Sequence, residues 1–210
     1  LDGGIPAELG NLSNLTFLHL GNNPLGGSIP PGLGNLANLT HLQLFANQLS
    51  GSIPVELGNL ANLTTLDLST NQLDGSIPTE LENLSSLIFL DLGGNLLGGT
   101  IPPGLGNLSN LNELNLSANQ LSGSIPAELS NLSALTLLNL RSNRFSGGIP
   151  SELDSLTNLT DGASDLRWNA LFTTDAALQT FLDSKQFGGE WQSSQTEAPT
   201  GLTATDTTPD

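Results

Sequence analysis

The residues with the most evident chemical potential are acidic and imidazole side chains spaced at intervals close to 24 residues. Asp67 and Asp91 are 24 residues apart, Glu113 follows 22 residues later, and His19 and His41 are also 22 residues apart. Neighbouring carboxylates suit glycoside hydrolysis, Ca²⁺ coordination or attraction of a basic partner, and paired imidazoles suit a transition metal. The scaffold that positions these side chains therefore decides which chemistry they can perform.

Composition excludes several classes of function. The 210-residue chain has no Cys, which removes disulfides, thiolate metal sites and cysteine nucleophiles. It carries 20 acidic residues against 4 Lys and Arg, a formal net charge of −16. Nucleic acids and anionic membranes need clusters of Lys and Arg, so neither is a predicted partner, and no apolar run is long enough for direct membrane insertion. No glycine-rich phosphate loop precedes a helix, and we predict no cofactor and no enzyme activity.

Most of the chain is built from a 24-residue repeat, marked by Ile-Pro dipeptides at positions 5, 29, 53, 77, 101, 125 and 149. Within a repeat, a segment such as Leu18-His19-Leu20 has the alternation of a short strand. Leucines at every third position, as at Leu9, Leu12 and Leu15, have the period of a 3₁₀ helix. One such coil buries too little apolar surface to fold alone, so the coils are expected to stack into a solenoid.

An asparagine also recurs once in each repeat, at a position expected to point into the solenoid. Its amide can donate two hydrogen bonds and accept others, which satisfies turn backbone groups that would otherwise be buried unpaired. We therefore predict a structural ladder formed by Asn23, Asn47, Asn71, Asn95, Asn119 and Asn143.

The unit L-x-x-L-x-x-L-x-x-L-x-L-x-x-N-x-L-x-G-x-I-P resembles the plant-type leucine-rich repeat over roughly residues 1–160. The resemblance implies an α/β repeat solenoid, a right-handed superhelix with a parallel β-sheet on its concave side and 3₁₀ helices on its convex side. We assign residues 1–168 to about seven coils. Because Leu1 aligns with Leu25 and Leu49, we expect the first coil to be truncated at its N-terminal side.

The C-terminal part departs from the repeat, because the asparagine expected at 167 stands instead at Asn169. We predict a cap over residues 169–192 with a short helix at 174–184 and Thr174 as its N-cap. Its aromatic side chains are expected to cover the last coil or to line a ligand pocket; they are Trp168, Phe172, Phe181, Phe187 and Trp191. Residues 193–210 are read as a linker entering a fibronectin type III-like strand. The cap followed by such a strand resembles the arrangement in bacterial secreted or surface leucine-rich-repeat proteins.

The outward side chains of the strands form columns about 4.8 Å apart on the concave sheet, and we predict that this surface binds the ligand. Its inward columns scarcely vary, whereas the outward ones change from coil to coil. The candidate binding residues are Phe17, His19, His41, Gln43, Phe45, Asp67, Phe89, Asp91, Glu113 and Arg141.

Two groups on this surface have alternative interpretations. Phe17, His19, His41 and Phe45 form an apolar patch with polar tips, which is typical of a protein interface. Ordinary surface variation or contact with upstream coils is the alternative, and two imidazoles without a third ligand would hold a metal only weakly, so no metal site is predicted.

The carboxylates of the sheet are best interpreted as solvated and screened, with a basic protein partner or Ca²⁺ as alternatives. An open, shallow sheet lacks the water-excluding cleft of a glycosidase. The sequence therefore predicts a noncatalytic module of a secreted or cell-surface protein that binds a protein or peptide ligand on its concave sheet. The alternatives are a receptor-like ectodomain that senses a peptide and a protein that adsorbs to ice or another surface.

Overall fold

A computed structural model describes residues 3–188 and 191–195, and in it each repeat forms one coil. Within a coil, a three-residue strand is centred on the first leucine of the Leu-x-Leu segment, and the residues that follow Ile-Pro form a 3₁₀ helix. The predicted fibronectin type III-like strand lies outside the described residues.

The strands are three residues long on average and lie in two rows along the stack. In chain order they are β1 (Gly3–Gly4), β2 (Phe17–His19), β3 (Leu25–Gly27), β4 (His41–Gln43), β5 (Gln48–Ser52), β6 (Thr65–Asp67), β7 (Gln72–Asp74), β8 (Phe89–Asp91), β9 (Glu113–Asn115), β10 (Ser122–Gly123), β11 (Leu137–Asn139), β12 (Arg144–Gly148) and β13 (Ala170–Phe172). The 3₁₀ helices span Ala7–Asn11, Pro31–Asn35, Val55–Asn59, Thr79–Asn83, Pro103–Asn107, Ala127–Asn131, Ser151–Ser155 and Gln192–Ser194, and the α-helix α1 spans Ala176–Lys185.

Strand pairing is parallel throughout the three sheets. The Leu-x-Leu strands form a six-stranded sheet in the order β11-β9-β8-β6-β4-β2. The second row forms a four-stranded sheet, β1-β3-β5-β7, and a three-stranded sheet, β10-β12-β13. Parallel strands joined by 3₁₀ turns confirm the predicted α/β repeat solenoid.

The core is a continuous column of leucine and isoleucine side chains. In the second coil, Leu33, Leu36, Leu39, Leu42 and Leu44 are all fully buried. The spacing of three brings leucines of the 3₁₀ segment to one side, and the alternation of the strand brings its leucines to the same interior.

Glycine sets how closely the 3₁₀ helices stack. A Cβ atom added to Gly34 would overlap the backbone carbonyl of Glu56 in the next coil, and one added to Gly58 would overlap that of Glu80. Gly32, in the same helix as Gly34, has room for a Cβ, since the nearest atom would lie 3.5 Å away. Close approach of the coils, and not backbone freedom, explains the second glycine of this segment.

The asparagine column joins neighbouring coils by hydrogen bonds. Nδ2 of Asn47 donates to the carbonyl oxygens of Leu20 (3.0 Å) and Leu44 (2.9 Å), and its Oδ1 accepts from the Leu25 N–H at 3.1 Å. The structure repeats this geometry along the ladder, and Asn169 continues it by accepting from the Phe145 N–H at 3.2 Å. The departure from the 24-residue spacing is therefore an insertion of two residues within the last coil.

The C-terminal helix differs from the prediction at its first turn. It begins at Ala176, and its N-cap is Asp175 instead of Thr174. The Asp175 carboxylate accepts from the N–H groups of Ala177 (2.8 Å) and Leu178 (3.1 Å). A carboxylate at this position satisfies two free N–H groups and also interacts favourably with the positive end of the helix dipole.

The predicted aromatic lid is wrong for three of its five members. Trp168, Phe172 and Phe187 are 39%, 36% and 59% exposed. Trp191 is fully buried, and Phe181 packs against the core. The rest of the cover comes from the aliphatic face of α1, where Leu178 and Leu182 are buried. Three aromatic side chains of the C-terminal part are thus available at the surface.

Candidate ligand-binding face

The strand register places the candidate residues in columns across the six-stranded sheet. The first column contains Phe17, His41, Thr65, Phe89, Glu113 and Leu137, and the second contains His19, Gln43, Asp67, Asp91, Asn115 and Asn139. A third column follows the strands and contains Gly21, Phe45, Ser69, Gly93, Ser117 and Arg141. We call these three columns the concave face.

Four of the candidate residues meet in an aromatic–imidazole cluster at the N-terminal end of the concave face. The ring centroids of Phe17 and His41 are 4.9 Å apart, and those of His19 and Phe45 are 5.5 Å apart. Phe17 is 49% exposed although the core could hold a ring of its size. Rings at these separations attract one another, so the cluster presents a preformed apolar surface with polar nitrogen atoms.

Gly21 is a positioning residue of this cluster that the sequence did not single out. A Cβ atom on Gly21 would lie 2.6 Å from Cε1 of Phe45. The absence of a side chain there allows the Phe45 ring to lie over the backbone of the first coil, next to His19.

Two other candidates lie outside the cluster: Gln43 borders it, and Phe89 lies apart from it. Phe89 belongs to the same column as His41, but Thr65 stands between them. Gln43 lies between His19 and Asp67. The structure thus does not gather all the predicted residues into one pocket but distributes them along the stack.

The second column contains a repeated turn that the sequence analysis missed. Oδ1 of Asp67 accepts from the Ser69 N–H at 3.1 Å, and Oδ1 of Asp91 accepts from the Gly93 N–H at 2.8 Å. Asn115 and Asn139 accept from the N–H two residues later in the same way. This geometry is the Asx turn, for which Asp or Asn two residues before the turn N–H is the sequence signal.

The carboxylates of the concave face differ in how many of their oxygen atoms already accept hydrogen bonds. Asp91 also accepts from Nδ2 of Asn115 at 3.0 Å, so both of its oxygens are hydrogen-bonded. Within the described part of the chain, Glu113 and Oδ2 of Asp67 have no such side-chain partner. Burial raises the pKa of Asp91, its two hydrogen bonds oppose this, and the negative charges of Asp67 and Glu113 add to the rise. The acidic part of the face is thus electrostatically strained around Asp91.

The C-terminal end of the concave face carries a cation–aromatic platform, formed by Arg141, Trp168 and Arg167. The Arg141 guanidinium carbon lies 3.8 Å from the centroid of the Trp168 ring, and that of Arg167 lies 5.3 Å from it. Asp165 holds Arg167 by two hydrogen bonds, of 2.9 Å and 2.7 Å, and this contact raises the pKa of Arg167. The ring centroid of Phe187 lies 5.2 Å from the guanidinium carbon of Arg167.

Arg141 is held differently from Arg167. Its nearest acidic contact is between Nη1 and Oδ2 of Asp165 at 4.0 Å, and its side chain is 40% exposed. The stacking fixes the plane of the guanidinium while the N–H groups at its edge donate no side-chain hydrogen bond to any residue that the structure describes. The carboxylate of Asp165 thus forms ion pairs with both guanidinium groups, a close one with Arg167 and a longer one with Arg141.

The sequence held a signal for this platform that the prediction did not use. The insertion of two residues makes Asp165 equivalent to Asn139, and the two form a parallel bridge. Arg167 is then equivalent to Arg141, and Trp168 to Ser142. Extending the columns across the insertion would have placed Asp165 and Arg167 on the concave face.

Among residues 3–188 and 191–195, no group of three or more His, Cys, Asp or Glu side chains is placed to hold a metal ion. No helix in the same part of the chain is long and apolar enough to cross a bilayer.

The fold, the repeat and the asparagine ladder define this chain as a leucine-rich-repeat protein. Residues 31–168 match a leucine-rich repeat region family, and residues 14–36 match the leucine-rich repeat itself. The chain belongs to the leucine-rich-repeat family. No curated protein sequence matches it significantly.

Solved structures similar to the chain include plant receptor ectodomains. The ectodomain of the Arabidopsis thaliana receptor kinase GASSHO1/SCHENGEN3, solved in complex with CASPARIAN STRIP INTEGRITY FACTOR 2, is 46% identical with a TM-score of 0.80 over 81% of this chain and 20% of that chain. The Arabidopsis receptor kinase HAESA, solved with the peptide hormone IDA and the co-receptor SERK1, is 42% identical with a TM-score of 0.76 over 81% of this chain and 28% of that one. A plant ice-binding protein is 31% identical with a TM-score of 0.61 over 86% of this chain and 74% of that one.

Proposed function

We propose that this chain is a noncatalytic module that holds a protein or peptide partner on its concave face, as part of a secreted or cell-surface protein. The observation that carries the proposal is the aromatic–imidazole cluster, because its rings are ordered by mutual contact while Phe17 and His19 are exposed and His41 and Phe45 are only half-buried. Exposed aromatic side chains in a fixed arrangement are what anchors protein interfaces. The receptor ectodomains to which the chain is similar support an extracellular location and a peptide as one class of partner, as in a receptor-like ectodomain.

The design of the face also supports binding. The buried leucines and the asparagine ladder repeat almost unchanged, so the scaffold is rigid and its outward side chains are free to differ. A rigid platform loses little conformational entropy when a partner binds.

Selection of ligands from a random library tests the proposal without a known partner. A phage-displayed library of random 12-residue peptides is selected against the chain, and the enriched peptides are measured against the variant Phe17→Ala/Phe45→Ala/Phe89→Ala. We expect their affinity to fall by at least about tenfold, because each lost ring is a potential anchor. Val55→Ala/Leu96→Ala is the matched control, since both residues are about half exposed and lie off the concave face. Equal binding by the triple variant would reject the concave face as the site, and failure to enrich any peptide would reject peptide binding.

Adsorption to ice is the second candidate, favoured by the similarity to the plant ice-binding protein. A row of threonines directly precedes strands of the six-stranded sheet, but their hydroxyls already donate hydrogen bonds within the protein. Oγ1 of Thr40 donates to the Thr16 carbonyl at 2.8 Å, and Oγ1 of Thr64 donates to the Thr40 carbonyl at 3.0 Å. Ile88 then breaks the row. A recrystallisation assay in frozen sucrose separates the two functions, because an ice binder arrests the growth of ice grains and a peptide-binding module leaves it unchanged.

A further inference from the structure

The concave face presents three chemically different zones in a fixed order along the stack. The aromatic–imidazole cluster lies on the coils of β2 and β4, the carboxylates Asp67, Asp91 and Glu113 lie on β6, β8 and β9, and the Arg141–Trp168–Arg167 platform lies beyond β11. The order follows directly from the parallel register of the strands. A ligand that crosses the strands meets the zones one after another.

We propose that the face selects an extended peptide segment with an apolar, a basic and an acidic residue in that order, spaced about three residues apart. This inference rests on the proposed function and adds to it the chemical pattern of the partner. The pattern can run in either chain direction, because the contacts involve side chains.

The central zone is suited to a single basic side chain. Asp91 uses both oxygens within the protein, whereas Glu113 and the free oxygen of Asp67 flank it on neighbouring strands. The mutual repulsion of these groups is relieved when a cation lies among them. A Lys or Arg side chain of the ligand supplies that cation without requiring the third ligand or the rigid geometry of a metal site.

The last zone is suited to a carboxylate. The guanidinium of Arg141 is oriented by the Trp168 ring, and planar guanidinium groups pair with carboxylates through two parallel hydrogen bonds. The single negative charge of Asp165 neutralises only one of the two positive charges of Arg141 and Arg167. The platform is therefore locally cationic in a chain with a net charge of −16.

The backbone of Trp168 supports a specific role for its ring. Trp168 has a φ of 55°, in the left-handed region, at a place in the coil where other repeats have residues with short side chains: Asn22, Ala46, Thr70, Gly94, Ala118 and Ser142. A bulky residue is disfavoured in this conformation. The contact of the Trp168 ring with Arg141 explains why a bulky residue occupies this position.

The distances set the spacing of the ligand residues. From β4 to β8, and again from β8 to β11, there are two strand steps, or about 9.6 Å at roughly 4.8 Å per step. A polyproline II helix advances about 9.3 Å in three residues and returns to the same face. Residues three apart in such a segment therefore face all three zones together.

Synthetic peptides with preset polyproline II structure test the pattern. The ordered probe is Phe-Pro-Pro-Lys-Pro-Pro-Glu, made in both chain directions, and the exchanged probe is Phe-Pro-Pro-Glu-Pro-Pro-Lys, which has the same composition. Titration followed by ¹H–¹⁵N NMR gives the affinity and the bound surface. We expect the ordered probe, in at least one direction, to bind about tenfold or more tightly than the exchanged probe.

Charge reversal tests the platform itself. In Arg141→Glu we expect the advantage of the ordered probe to disappear, and a probe with Lys in place of its Glu to bind this variant more tightly than the wild type. Arg144→Glu is the matched control, because it makes the same change in net charge at an exposed residue on β12. Thermal melts establish that both variants are folded.

The outcomes separate this inference from the proposed function. Equal binding of ordered and exchanged probes, no binding of any probe, or equal effects of the two arginine variants overturns the pattern. In each of these cases, the proposed function is still supported if library peptides bind the wild type and not the triple phenylalanine variant. Binding of the ordered probe that survives the triple phenylalanine replacement contradicts the apolar zone and the proposed function together.

Discussion

Replacing Asn95 by alanine should destabilise the solenoid far more than replacing another hydrogen-bonded asparagine on its surface. Asn95 is 6% exposed, and its Oδ1 accepts from the N–H of the fully buried Leu73 at 3.0 Å. Its Nδ2 donates to the carbonyl oxygens of Leu68 (3.0 Å) and Leu92 (3.1 Å). The side chain thus joins its own coil to the preceding one by hydrogen bonds at two points of that coil.

The magnitude follows from what each partner retains. The Leu68 carbonyl still accepts from Asn71 and the Leu92 carbonyl from Asn119, so these lost bonds cost about 0.5–1.5 kcal/mol each. The Leu73 N–H is left buried without its acceptor, which costs about 1–3 kcal/mol. The total is about 2–6 kcal/mol. Asn110→Ala is the control, because the exposed Asn110 makes one side-chain bond, of 2.9 Å, to Ser85 and should cost about 1 kcal/mol or less.

Urea unfolding followed by both circular dichroism and tryptophan fluorescence measures the difference. With an m-value of about 2–3 kcal/mol/M, Asn95→Ala should lower the midpoint by about 0.7–3 M. Tryptophan fluorescence reports mainly on the C-terminal part of the chain, whereas the replacement is in the middle of the stack. If the coils unfold cooperatively, the two signals should nevertheless shift together. Equal midpoint shifts for Asn95→Ala and Asn110→Ala would refute the ladder as the source of stability.

Three further predictions concern particular positions. Gly34→Ala should destabilise the chain by about 1–3 kcal/mol or more, because its Cβ overlaps a backbone carbonyl, whereas Gly32→Ala should be tolerated; thermal unfolding compares them, and equal melting temperatures would contradict the packing argument. Gly21→Ala should displace the Phe45 ring and change the NMR ring-current shift of the adjacent imidazole with little loss of stability, so an unchanged shift would show that the ring does not rely on the glycine. Because the pKa of Asp91 is raised in the folded state, mainly by burial, that state takes up a proton before the unfolded chain does. The wild type should therefore gain stability relative to Asp91→Asn as the pH falls from neutral towards about 4, and a constant difference in unfolding free energy would argue against the raised pKa.

The interior of the fold was predictable because each position there is determined by local periodicity and burial. Leu33, Leu36 and Leu39 point inward through their spacing of three, and the leucines of each strand do so by alternation. Asn47 forms its bonds with backbone groups, whose positions follow from the repeat. Neither inference required knowledge of which side chain touches which.

The surface was less predictable because its contacts join side chains that the repeat leaves unspecified. The N-cap at Asp175 was missed because Thr174 is an equally good candidate by residue type, and only the geometry shows which oxygen reaches the N–H groups. Trp168 was assigned to the lid because large apolar rings are usually buried. The stacking with Arg141 that holds it at the surface depends on a contact across the two-residue insertion.

The Asx turns separate a column of the concave face that is free to vary from columns that are constrained. In the second column, Asp67, Asp91 and Asn115 use an oxygen to hold the backbone two residues later, so a change there alters the turn as well as the surface. In the third column, the hydroxyls of Ser69 and Ser117 donate to the turn oxygens at 2.7 Å, so these positions are constrained as well. Exchanging a first-column side chain should therefore change ligand preference at little cost in stability, whereas a second-column exchange should change both. The specificity of this face is thus best altered at the first column.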